Sequence, residues 1–103
     1  PESWSLVKHI RETIDPGSRL YVMDGTLAYW LHEYELLQGY PTHLSDLRGQ
    51  DYFVTAQASE SVYRFYGTSD NEVVRTLGNQ SMLPEVYRHS SKIVIYQVGA
   101  SIP

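Results

Sequence analysis

Residues 4–24, WSLVKHIRETIDPGSRLYVMD, carry the reading that decides the fold. Trp4, Val7, Ile10 and Ile14 recur at helical spacing, with Lys8, His9, Arg11 and Glu12 on the opposite side. The pattern predicts an amphipathic helix from about Ser3, a suitable N-cap, to Ile14. Asp15-Pro16-Gly17 stops it, because proline disfavours helix in the residue before it and glycine turns without strain. Arg19 to Asp24 then reads as a strand. Its run Leu20 to Met23 has no polar alternation, as expected of a central strand covered on both faces.

The same helix, turn and strand order continues downstream. Asp24-Gly25-Thr26 leads into a second helix capped by Thr26, with Leu27, Trp30, Leu31 and Tyr34 as its apolar stripe and Gly39 near its end. Tyr40 to Leu44 stays open as a short strand, which by Pro41 lies at an edge or just starts there. Ser45 to Arg48 reads as one helical turn and Asp51 to Ala56 as a strand. Ser59 caps a segment bearing Val62, Tyr63 and Tyr66, helical by position but aromatic enough for a strand, and Gly67 breaks it. Ser69 or Asp70 caps a further short helix through Val73, Val74 and Leu77, closed by Gly78-Asn79. Leu83 to His89 and Lys92 to Val98, joined at Ser90-Ser91, predict an antiparallel hairpin. Helices between the early strands imply parallel pairing there. The expected fold is therefore α/β: a small Rossmann-like three-layer sandwich, its mixed sheet ending in a C-terminal antiparallel hairpin.

Composition narrows the functional classes. The 103 residues make one domain, and 42% hydrophobic with 19% charged residues supports a packed core over disorder. No apolar run approaches the roughly 18 residues of a membrane span, so this piece is expected to be soluble. With no cysteine there is neither a disulfide nor a thiolate site. The net charge is −4 and the bases are scattered singly, so no basic stripe neutralises phosphates and a nucleic acid partner is excluded. The chain begins at Pro1 and enters its first helix within a few residues, which we read as a fragment of a larger protein.

The motifs are sparse. Asp24-Gly25-Thr26 lies where ligands bind in open α/β sheets, at the carboxyl end of a strand facing a helix N-terminus. Its residues read better as a helix cap and turn, since no glycine-rich phosphate loop accompanies them. His32, Glu33 and Glu35 diverge on a helix, and the H-E-x-x-H spacing is missing, so no metal site is expected. No nucleophile elbow surrounds Ser59, Ser61 or Ser90-Ser91, and no catalytic residue is assigned. No cofactor is expected. Nine tyrosines and two tryptophans allow a carbohydrate-contacting surface. Tyr21, Tyr29, Tyr52, Tyr63 and Tyr96 fall on apolar faces or strands, leaving Tyr40, Tyr66 and Tyr87 as the candidates for exposure. Asn79-Gln80-Ser81 matches the N-glycosylation acceptor pattern.

The run Ile14-Asp15-Pro16-Gly17-Ser18-Arg19-Leu20-Tyr21-Val22, with Asp51-Tyr52-Phe53-Val54, Val86-Tyr87-Arg88 and Lys92 to Val98, resembles the tail of bacterial dolichyl-phosphate-mannose–protein mannosyltransferase-like enzymes. In that family a bundle of membrane helices is often followed by a small extracytoplasmic α/β domain. The matching motifs are structural, and the family's catalytic acids lie in the membrane portion, so none carries over to this chain. The resemblance implies a noncatalytic accessory domain, outside the membrane, of a polyprenyl-phosphate-sugar-dependent glycosyltransferase. Its partners would be its own transmembrane region and a glycan or lipid-linked sugar. The alternative is a free-standing small-molecule or nucleotide-binding domain using Asp24, Gly25 and Thr26. A third reading is an interaction module whose terminal hairpin edge pairs with another chain.

Overall fold

The computed structural model describes residues 2–55, 71–90 and 93–102. The expected segment from Ser59 to Gly67, the caps Ser69 and Asp70, and residues 91–92 lie outside them. The chain runs α1 (Glu2–Thr13), β1 (Arg19–Val22), α2 (Gly25–Trp30), β2 (Glu35–Gln38), a 3-10 turn (Leu44–Leu47), β3 (Tyr52–Val54), α3 (Glu72–Thr76), β4 (Glu85–Arg88) and β5 (Val94–Gln97). It is a small mixed α/β domain in which the five strands of the described residues lie in the order β2-β1-β3-β5-β4.

β1 pairs in parallel with both β2 and β3, setting Leu20 against Leu36 on one side and Tyr52 on the other. β3 runs antiparallel to β5, and β5 to β4. The terminal hairpin and the parallel early strands follow the sequence expectation.

Strand alternation sends apolar side chains to both faces, because successive residues point oppositely. Leu20, Val22, Val54 and Ile95 pack with Leu6, Val7 and Ile10 of α1, Ile14 just after it and Leu27 of α2. Phe53, Val94 and Tyr96 pack with Leu44 and Leu47 of the 3-10 turn, Val73 of α3 and Leu83. Each such side chain, fully buried, contributes about 1.5–3 kcal/mol. The buried polar Thr55 is satisfied: its Oγ1 accepts the Val94 amide at 2.9 Å.

The second helix is shorter than its sequence pattern, and the strand after it lies elsewhere than expected. α2 ends at Trp30, Glu35–Gln38 forms β2, and Tyr40 to Leu44 is not a strand. Tyr34 explains the change. Its buried hydroxyl donates to the carbonyl of Ile14 at 2.8 Å, just past the end of α1, and to that of Ile10 at 3.3 Å, which also accepts the Ile14 amide at 2.8 Å. This anchor draws the chain off the α2 axis, and the next four residues gain a ladder against β1. Of the expected stripe Leu27, Leu31 and Tyr34 are buried, Tyr34 from beyond the end of α2, whereas Trp30 is exposed.

The start of α1 also shifts: the helix includes Ser3 instead of being capped by it. At α3 the cap is Asn71, whose Oδ1 accepts the Val74 amide at 3.0 Å.

Candidate functional site

The turn after β1 is built as a helix cap. Asp24 has extended backbone angles, and its Oδ1 accepts the amides of Thr26 at 2.7 Å and Leu27 at 3.2 Å. A carboxylate thus already occupies the place that an anion would take at this N-terminus. Thr26 sits in the first turn of α2, with the capping left to Asp24. Gly25 is not required by close packing, since a Cβ there would meet nothing nearer than Gln38 Nε2 at 3.9 Å. The structure brings Asp24, Gly25 and Thr26 together at the carboxyl end of β1, with α2 only six residues long.

Three further acids serve comparable local roles. Asp46 Oδ2 accepts the amides of Thr42 and His43, both at 3.1 Å. These two bonds to the ionised form hold its carboxyl below the usual range. Glu72 Oε1 accepts the Leu44 amide at 2.6 Å, and Asp51 Oδ2 accepts the Arg19 amide at 2.8 Å. Burial raises the Tyr21 hydroxyl, with the Asp46 charge adding to it. Burial likewise raises Tyr34, helped by Glu33 and opposed by Arg11. Asn79 Oδ1 accepts both the amide and the hydroxyl of Ser81, so the acceptor-like tripeptide forms a closed turn.

His32, Glu33 and Glu35 do not share a helix. Glu33 pairs with Arg11 at 3.1 Å and Glu35 with Arg19 at 2.9 Å, while His32 Nδ1 lies 3.2 Å from the Tyr29 carbonyl. Among the described residues no group of three or more acids and imidazoles is placed to hold a metal ion. An open groove among the described residues, about 680 Å³, is lined by Arg48, Gln80, Gln97 and Asp51 among others. Its one carboxylate is the Asp51 group already bonded to Arg19.

The surface feature that sequence reasoning missed is aromatic. Tyr29 is 74% exposed, Trp4 48% and Trp30 42%. Trp30 stands between the other two, 5.6 Å from each ring centroid, crossing Trp4 at 73° and Tyr29 at 81°. Arg11 lies beside them, its guanidinium carbon 6.0 Å from the Trp4 ring, donating to the Trp30 carbonyl at 2.7 Å and paired with Glu33. The strip is held by edge contacts and one cation–π contact, yet presents apolar rings to solvent next to a planar ion pair.

A signal for it existed. At 100° per residue, Leu6, Val7, Ile10 and Ile14 make a tight stripe, and Trp4 falls about 60° beyond Val7. Tyr40 is exposed as expected, whereas Tyr87 is half-buried with its ring stacked 3.6 Å from His9. Tyr63 and Tyr66 lie outside the described residues. Compared with family models, curated proteins and solved structures, the chain matches none of them.

Proposed function

We propose that this is a noncatalytic accessory domain of a polyprenyl-phosphate-sugar-dependent membrane glycosyltransferase, placed on the extracytoplasmic side, and that it works through its aromatic surface. The observation that carries the reading is the contiguous strip Trp4–Trp30–Tyr29 beside the Arg11–Glu33 pair. Flat rings take up the apolar faces of sugar rings, and planar charged groups bond paired hydroxyls. Asp24, Asp46, Glu72 and Glu33, by contrast, are committed to caps, backbone amides and an ion pair, which suits a domain that binds instead of reacting. No described helix is long and apolar enough to cross a membrane, so any span belongs to another part of the parent protein. A Rossmann-like three-layer reading of the fold is supported by the two buried clusters, one against each side of the sheet.

Both tryptophans of the chain lie in this strip, so tryptophan emission, excited selectively over the nine tyrosines, reports on it. Titration with hexose oligosaccharides and a short-chain polyprenyl-phosphate hexose is expected to shift the emission, and Tyr29→Ala to weaken the response. Unchanged emission, with amide shifts at residues 24–27 on adding nucleotides, would sink this reading in favour of a nucleotide-binding domain.

A further inference from the structure

The inference concerns the outer edge of β2. Gly39 donates its amide to Val22 O at 3.0 Å. In a parallel ladder with the observed register, residues 35, 37 and 39 therefore turn their backbone groups toward β1. Leu36 and Gln38 turn theirs outward, and no described residue bonds those amides or carbonyls. Between them Leu37 is 51% exposed.

We propose that β2 pairs antiparallel with β2 of a second copy of this chain, in the register that sets Leu37 against its own counterpart. The geometry selects that register. Continuing the sheet about a two-fold axis requires opposed residues to share a face, so a residue meets one of its own parity. The outward groups of Leu36 then meet those of Gln38 of the other copy as hydrogen-bonded pairs, closing four bonds across the axis. Leu37 meets Leu37 as the close, non-hydrogen-bonded pair, and Glu35 lies opposite Gly39 instead of another Glu35. Setting Leu36 against Leu36 is poorer, because it extends the pairing to Tyr34, whose amide is already bonded to Leu31 O at 3.0 Å.

The test uses the whole 103-residue chain. Its weight-average mass in light scattering should rise from one chain toward two as concentration approaches about 1 mM. Leu37→Lys puts two ammonium groups face to face and should weaken association about tenfold, while Val86→Lys on the opposite edge leaves it unchanged. Opposed non-hydrogen-bonded residues have Cα atoms about 4.5 Å apart, within reach of a disulfide. The chain has no cysteine of its own, so Leu37→Cys under mild oxidation should give a covalent dimer, far ahead of Val86→Cys. A mass of one chain throughout, or trapping at position 86 as fast as at position 37, overturns the proposal. Neither outcome touches the sugar titration, which reads a different surface.

Discussion

The two edges of the sheet obey different rules. β4 is irregular: its register against β5 shifts between Glu85 and Tyr87, which leaves Val86 as the extra residue and 49% exposed. Glu85 and Arg88 pair at 2.6 Å on that strand, and this hydrogen-bonded carboxylate raises the already high Arg88 guanidinium further. Behind it the chain is tied down, with Gly78 N bonded to Leu83 O at 2.8 Å and Gln97 N to Pro84 O at 2.9 Å. β2 keeps four consecutive register pairs with β1, and the Tyr34 hydroxyl anchors the chain just before it. A bulge and charges blunt an edge at the expense of its ladder, whereas a regular edge keeps its pairing capacity. The sequence directed attention to the terminal hairpin as the pairing edge, and the geometry directs it to the opposite one.

That contrast can be broken or sharpened by substitution. The largest effect is expected at Leu83, fully buried just before β4: Leu83→Ala should cost about 3 kcal/mol in urea unfolding. A loss under about 1 kcal/mol would mean that the core does not secure the blunted edge. Next comes Tyr34→Phe, which removes only the hydroxyl bonding Ile10 and Ile14, and should cost about 1 kcal/mol. If it costs nothing, the β2 side does not depend on that anchor.

Smaller still is the acid response of the turn that follows β2. The Asp46 carboxyl is lower in the folded chain than in the unfolded one, so its contribution is complete above the unfolded value near pH 4. It is lost as pH falls through the folded value. Asp46→Asn should therefore flatten the acid limb of stability against pH, and an unchanged limb would show that other carboxylates set it. The smallest effect belongs to the exposed Glu85–Arg88 pair. Glu85→Gln should leave the urea midpoint unmoved, and a clear drop would credit the ion pair, not the bulge, with shaping β4.

How far the fold was legible varied along the chain. α1, β1, β3 and the terminal hairpin were readable because local periodicity, Asp15-Pro16-Gly17 and apolar runs pointed to the same elements that packing selects. β2 was not, since Leu27, Leu31 and Tyr34 keep helical spacing across a helix that stops at Trp30. The Asp24 corner was legible as a cap. The aromatic strip was not, because helical spacing assigns Trp4 and Trp30 to apolar faces without saying which part of each face a neighbour covers.

By itself, then, the chain determined a mixed α/β fold, parallel strands early and a hairpin late, because alternation and turn chemistry act over a few residues. Only the tertiary structure decided where α2 ends, which edge stays regular and which rings face water. Those outcomes depend on partners far apart in sequence, such as Tyr34 with Ile14 and Trp4 with Trp30, whose meeting no local pattern encodes.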